Sequence, residues 1–293
     1  MKTFPRMMTA MITPFKENGE VDYNGAQYLA KYLLQNGSKG IVVSGTTGES
    51  PTITIQEKLD LFKAVKEAVG NEGTVIAGTG SYSTADSIKL TEQASKLSIE
   101  GILSVTPYYN KPNQEGLYQH FSAIAASTDL PIILYNVPGR TGINLLPDTV
   151  ARLATKKNIV ALKEACGNTD QVSALKNLVS DDFIIYSGDD SMTLPMLAVG
   201  AYGVISVASH VAPRAINEMI EYFFSGNTYE SAGMHNKLYP LFKAMFVTTN
   251  PIPVKKALDL LGLPSGKPRL PLVEASPSET ETIKKALAGF GLL

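Results

Sequence analysis

Short apolar runs recur eight times along the chain, at residues 7–13, 40–44, 74–78, 101–106, 131–136, 159–163, 183–187 and 203–207, and small or hydroxyl-bearing residues close most of them. They are apolar nearly throughout rather than alternating with polar positions. That is the pattern of parallel strands covered on both faces, so the runs predict eight buried strands.

The stretches between them carry apolar residues at helical spacing, several with clear starts. In Thr54-Ile55-Gln56-Glu57 a capping box opens a helix that carries Leu61, Phe62, Val65 and Val69 and stops at Gly70. Leu117, Phe121 and Ile124 share one face, as do Val172, Leu175 and Val179, and Pro147 at a first helical position precedes Val150 and Leu153. Strand and helix alternate through residue 225, and parallel neighbours require right-handed helical crossovers. An open doubly wound sheet competes with a closed barrel for such a chain. Eight units, and a length close to the ~250 residues of barrels, favour a (β/α)8 TIM barrel. After Gly226 the strands cease, and the remainder predicts helices around 239–246 and 254–261 and a last one capped by Ser276-Pro277-Ser278-Glu279. The domain reading is a barrel over residues 1–225 with a C-terminal helical segment, 226–293, packed on it.

Composition narrows the function. With 293 residues, 44% of them hydrophobic, the chain can bury a large core, and Lys+Arg 26 against Asp+Glu 27 leaves no basic field to collect nucleic acid or an anionic membrane. The expected partner is a small molecule. The single cysteine, Cys166, excludes an internal disulfide and a multi-thiolate metal site and suits a reducing, cytoplasmic compartment. Lys2 precedes an apolar stretch that Pro5, Arg6, Thr9, Thr13 and Pro14 interrupt, so no signal peptide is expected. The longest charge-free stretch, 191–213, is broken by Pro195, Gly200 and Gly203 and predicts a buried helix and strand rather than a membrane span.

Barrels draw catalytic groups from the C-terminal ends of several strands. The polar residues at those ends are Gly45-Thr46-Thr47-Gly48-Glu49, Tyr108-Tyr109, Tyr135-Asn136 with Arg140, Lys163-Glu164, Gly188-Asp189-Asp190 and Ser206. Lys163 stands out because it follows Ile159-Val160-Ala161-Leu162, and an unpaired ammonium is costly to bury. Bringing a lysine from its ordinary range to a useful value of about 7–8 takes ~4 kcal/mol of disfavoured charge, which a low-dielectric barrel mouth can supply. A neutral amine there can attack a ketone, giving an iminium that draws electrons from the adjacent carbon and creates an enamine nucleophile. A structural Lys163–Glu164 pair, or a lysine snorkelling to solvent, accounts equally well for the residue taken alone.

Tyr135, Tyr109 and Thr46 can move protons through a hydroxyl relay, although each taken singly also reads as a packed aromatic or a turn hydroxyl. Arg140 lies in Asn136-Val137-Pro138-Gly139-Arg140-Thr141-Gly142, where proline and glycine fix the loop, and suits either bidentate capture of a carboxylate or a surface ion pair. The turn from Gly45 to Gly48 offers backbone N–H groups to an anion. His120, His210 and His235 are widely spaced, show no metal-ligand pattern and read as helix-surface or interface positions, so no metal is expected. The phosphate-binding loop, the dinucleotide fingerprint and the Gly-x-Ser-x-Gly elbow are all missing from the sequence.

Gly45-Thr46-Thr47-Gly48-Glu49, Tyr135-Asn136-Val137-Pro138-Gly139-Arg140-Thr141 and Lys163-Glu164, joined by Pro107-Tyr108-Tyr109 and Gly203-Val204-Ile205-Ser206-Val207, occur in an order and spacing that resembles the dihydrodipicolinate synthase family over essentially the whole chain. The resemblance implies condensation of pyruvate with L-aspartate 4-semialdehyde to 4-hydroxy-tetrahydrodipicolinate, at the entry to diaminopimelate and lysine biosynthesis. It implies a lyase with no cofactor beyond the covalent Schiff base on Lys163. Tyr135, Thr46 and Tyr109 become the proton relay, Arg140 holds the semialdehyde carboxylate, Thr47 and the Ile205 backbone contact pyruvate, and Gly188 lies beside the incoming aldehyde. A homotetramer built as a dimer of dimers is implied, with Tyr109 completing the neighbouring subunit's site. At the lysine-inhibition site of that interface, two histidines and an amide of inhibited members appear here as Ile55, Lys58 and Tyr82, while Ser50, Asp86 and Tyr108 remain compatible. Isoleucine cannot hydrogen-bond a ligand and Lys58 adds positive charge near a cationic effector, so feedback by lysine is expected to be weak or absent. N-acetylneuraminate lyase and 2-keto-3-deoxy-sugar-acid aldolases share the barrel, the lysine and the phenol; Arg140 and Thr46-Thr47 favour the synthase. A catalytically silent 2-oxo-acid sensor would have no need of a buried lysine beside a relay.

Overall fold

The structure, a computed structural model, describes residues 4–293, so Lys2 lies outside it. Eight strands form: β1 Met7–Ala10, β2 Gly40–Val43, β3 Thr74–Gly78, β4 Gly101–Val105, β5 Ile132–Asn136, β6 Ile159–Glu164, β7 Ile184–Ser187 and β8 Gly203–Ser206. They hydrogen-bond in chain order into a closed barrel, which sets aside the open doubly wound sheet. Each falls in a predicted run, β6 alone running one residue past its run to Glu164. The first departs most, because the strand stops at Ala10, after which the Ile12 N–H turns to the imidazole of His210 at 3.0 Å. The charge-free stretch holds a helix, Thr193–Ala198, followed by β8, as expected. Among the described residues no helix is long and apolar enough to cross a membrane.

The chain divides into two compact units, Met1–Val75 with Ser206–Leu293, and Ile76–Ile205. In the first, the predicted capping box is formed: Thr54 Oγ1 accepts from the Glu57 N–H and the Glu57 carboxylate accepts from the Thr54 N–H at 2.8 Å, opening the helix Ile55–Val69 that ends at Gly70. Its buried face, Leu61, Phe62 and Val65, packs on the helix Tyr23–Gln35. The final helix, Pro277–Phe290, starts on the predicted Ser276–Glu279 box. The helix read around 239–246 begins much earlier, spanning Thr228–Ala244. Its first half is mostly polar, and Pro240 reads as a breaker, so the sequence pattern hides it; packing on the helices Pro213–Phe224 and Pro277–Phe290 holds it.

The histidine reading is corrected at two positions. His210 is fully buried; its Nε2 accepts from the Ile12 N–H and its Nδ1 lies 2.7 Å from the Val207 carbonyl, to which it donates, so the ring is neutral and burial pushes it down to about 4. His120 is also buried, pairs with Thr84 Oγ1 at 2.8 Å, and is pushed down to about 4 by the same desolvation. A ring nitrogen that serves a backbone group belongs inside, which spacing along the sequence does not reveal. His235 is half-buried against Tyr239 and Phe242.

The same unit buries a charge network that the sequence reading did not anticipate. Lys255 Nζ donates to Glu49 Oε1 at 2.6 Å with both side chains almost fully enclosed, and the other Glu49 oxygen accepts from the Arg269 N–H at 2.8 Å. Arg269 in turn forks onto Glu57 and lies over the Phe15 ring. Removing one partner of a buried pair strands the other charge, so Lys255→Met is expected to lower unfolding stability by about 3 kcal/mol. The control Lys63→Met, in an exposed pair with Glu67, leaves the urea midpoint essentially unmoved. Equal midpoints for the two variants would show that the buried pair contributes nothing.

Candidate active site

Strand β6 positions the central group. Successive residues of a strand point to opposite faces, so Ala161 and Lys163 share one face while Leu162 and Glu164 take the other. Lys163 pairs in register with Tyr135 of β5, and its Nζ stands 4.4 Å from the centre of the Tyr135 ring. Only 4% of Lys163 is exposed, which removes the snorkelling alternative. The neighbour-pair alternative fails as well, because the Glu164 carboxylate accepts from Asn136, Cys166 and Gln171 on the opposite face.

Desolvation pushes the Lys163 amine down to about 8, with the Asp190 carboxylate pulling it back up and the Arg140 guanidinium pushing it further down. The cost of holding the charged form is on the order of 3 kcal/mol, and at neutral pH it leaves about a tenth of the amine uncharged, against a few parts in ten thousand for an exposed lysine. No carboxylate among the described residues makes a salt bridge with it. A partly neutral amine over a phenol ring is a nucleophile equipped for carbonyl addition.

Glycine at 188 is required by this packing. Its N–H donates to the Glu164 carbonyl at 2.7 Å, and a Cβ there would stand 2.8 Å from Ala165 Cβ and 3.2 Å from Lys163 Cε. Arg140 sits in the short helical turn Pro138–Thr141, exposed, with Gly142 closing the turn at φ 71°. Thr141 Oγ1 bonds the Val137 and Ile143 carbonyls, and Asn136 Oδ1 accepts from the Leu145 N–H at 2.9 Å, so the segment bearing Arg140 is tied at its base. Ile205 is fully buried in β8. Tyr109 is not brought to Lys163: it is 92% exposed, on a backbone with φ 72°. That conformation is uncommon for a bulky residue.

The turn carrying Thr46 and Thr47 belongs to the other compact unit. Thr47 is buried and its Oγ1 accepts from Asn250 Nδ2 at 2.9 Å; Thr46 is half-buried. The reading of this turn as an anion nest is corrected in part, because the N–H groups of Gly48, Glu49 and Ser50 bond back to the Gly45 and Thr46 carbonyls. Ser50, Ile55 and Lys58 are half-buried in that unit, and burial pushes Lys58 down to about 8. In the unit of Lys163, Tyr82 meets Tyr108 edge to face at 5.4 Å, and Asp86 is exposed with its N–H donating to Ser83.

Asp190 is the acidic group nearest in effect to Lys163, and sequence reasoning gave it no role. Its signal was present, since Asp189-Asp190 follows β7. Asn136, Asn144 and Gln171, which hold Glu164, were also missed; buried amides have no spacing rule that announces them. Among the described residues no group of three or more His, Cys, Asp or Glu is arranged to hold a metal ion.

The model of the Dihydrodipicolinate synthetase family matches residues 3–289. The 4-hydroxy-tetrahydrodipicolinate synthase of Desulforamulus reducens is 58% identical over 291 residues, 99% of this chain and 98% of that protein. Among solved structures, the DHDPS from Cyanidioschyzon merolae with lysine bound superposes with a TM-score of 0.98 at 50% identity, covering 99% of each chain. A monomeric dihydrodipicolinate synthase variant superposes at 0.96 with 49% identity, covering 99% of this chain and 98% of its own.

Because a methyl at position 188 would press on Lys163 Cε, Gly188→Ala is expected to slow imine formation with a 2-oxo acid by about 10-fold or more. Stopped-flow or quenched reductive trapping measures this directly, and an unchanged rate would show that the close approach has no chemical consequence.

Proposed function

The chain belongs to the dihydrodipicolinate synthetase family, and we propose that Lys163 is the amine through which it captures pyruvate. Its reaction is the Schiff-base condensation of pyruvate with L-aspartate 4-semialdehyde, a lyase chemistry at the entry to diaminopimelate and lysine biosynthesis that needs no cofactor. The observation that carries the assignment to Lys163 is its enclosure over the Tyr135 ring, at a value near 8.

The steps follow from that amine. Neutral Nζ adds to the pyruvate keto carbon; loss of water gives an iminium; the iminium draws electrons from the methyl carbon, whose proton passes to a hydroxyl of the relay, and the resulting enamine carbon attacks the aldehyde, whose oxygen takes up a proton. Tyr135, with Thr46 and Tyr109 by resemblance, relays the protons. Arg140, exposed on a segment tied at its base, takes the semialdehyde carboxylate. Thr47 and the Ile205 backbone hold pyruvate, and Gly188, where a methyl would press on Lys163 Cε, lies beside the incoming aldehyde.

Tyr109 supports a further assignment, that the protein is a homotetramer of the dimer-of-dimers kind in which Tyr109 completes the site of a second copy. An aromatic ring so exposed, on a strained backbone, is what a subunit contact would cover. We assign residues 1–225 to the barrel and 226–293 to an appended helical segment, in keeping with the packing of Thr228–Ala244 on its helical neighbours. A cytoplasmic location suits the single free thiol.

Incubation with pyruvate and borohydride followed by peptide mapping is expected to place the adduct on Lys163, and Lys163→Ala to lose condensation by a factor of about 1000 or more. Turnover should favour aspartate semialdehyde over sugar aldehydes; a preference for sugar aldehydes would move the chain to the sugar-acid aldolases. A label on another lysine would refute the assignment. By the resemblance, Ser50, Ile55, Lys58, Tyr82, Asp86 and Tyr108 correspond to the residues of a lysine-inhibition site, where Lys58 would oppose a cation, so half-inhibition by lysine is expected only above about 1 mM. Sub-millimolar inhibition in a coupled assay would contradict this.

A further inference from the structure

Glu164 takes no part in the steps above, yet it is 2% exposed and lies one residue from Lys163 on the opposite face of β6. Every partner it has donates to it. Asn136 Nδ2 reaches both carboxylate oxygens at 2.9 and 3.1 Å, the Cys166 backbone N–H reaches one at 2.9 Å, and Gln171 Nε2 reaches the other at 3.0 Å. A carboxyl that meets only donors is held in its ionised form, because its own O–H would find no acceptor among them. Desolvation acts against that form, raising the group above the ordinary carboxylate range, and the hydrogen bonds oppose the rise.

The same donors fix the geometry of the reaction site. Asn136 pairs in register with Glu164 just as Tyr135 pairs with Lys163, so the amide–carboxylate bond lies directly behind the phenol–amine pair. Asn136 Oδ1 accepts from Leu145, closing the segment that carries Arg140. Asn144 of that segment accepts from Asn136 Nδ2 at 2.7 Å and donates to Gln171 Oε1 at 2.7 Å. One buried acceptor therefore anchors the strand pair that serves the keto acid and the segment that serves the aldehyde.

We propose that Glu164 is a positioning residue, which through Asn136 and Gln171 sets the spacing of Lys163 against Tyr135 and the seating of the Arg140 segment. The inference rests on the reading of Lys163 as the Schiff-base amine. Glu164→Gln keeps the shape but turns an NH2 toward the Asn136 or Gln171 amide, donor against donor.

The test compares unsubstituted protein, Glu164→Gln and Gln171→Leu, each normalised to folded protein by circular dichroism. Glu164→Gln is expected to lower kcat and raise KM for aspartate semialdehyde, each by about 10-fold, and Gln171→Leu to move both in the same direction by less. A purely structural role would lower only the folded fraction and leave both the normalised kcat and KM unchanged, and that result would overturn the proposal. Should Glu164→Gln fail to fold, the KM of Gln171→Leu, which keeps the carboxylate, decides: a raised value supports the proposal and an unchanged one overturns it. Borohydride mapping of the unsubstituted protein keeps the two readings apart. An adduct away from Lys163 fails the Schiff-base assignment; an adduct on Lys163 with unaltered kinetics in the variants fails only the positioning role.

Discussion

The desolvation of one ammonium group organises what this protein can do. Water stabilises a lysine cation strongly, and a side chain walled in by strand residues and an aromatic ring loses that stabilisation, with no salt bridge among the described residues to replace it. The amine responds by giving up its proton more readily. Glycine at 188, the phenol of Tyr135 and the Asn136–Glu164 bond make sense as consequences, since each keeps that amine enclosed and aimed.

A second buried lysine shows that burial alone does not make a nucleophile. Desolvation pushes Lys255 down to about 8 as well, against the opposing pull of Glu49. Glu49 stands 2.6 Å from its Nζ, however, and the carboxylate is further held by Arg269, so the ammonium is locked into an ion pair. For Lys163 the acidic influence is the electrostatic pull of Asp190, which opposes the desolvation. The partner, more than the depth of burial, separates a structural charge from a reactive amine.

Much of this was legible in the chain. Uniformly apolar runs identified β1 to β8, because parallel strands covered on both faces leave no polar alternation, and Thr54-Ile55-Gln56-Glu57 fixed a helix start to the residue. Lys163 was visible as a charge with no reason to follow Ile159-Val160-Ala161-Leu162. The features that escaped were those made by contact. Whether Lys163 paired with Glu164 could be decided only by the face each takes on β6. His210 looked like a surface residue until its imidazole was seen to serve the Ile12 N–H, and the helix from Thr228 was masked by polar residues and Pro240. Buried amides such as Asn136 and Gln171 read as loop polarity in sequence and become structural only through the carboxylate they share.

The enclosure of Lys163 lowers the affinity of its amine for a proton. The direct measurement is the pH dependence of its modification rate, followed by mass spectrometry on the Lys163 peptide with a small neutral amine-reactive reagent. The rate is expected to climb through a midpoint near 8 and then level. A midpoint in the ordinary lysine range, about 10.4, would contradict it.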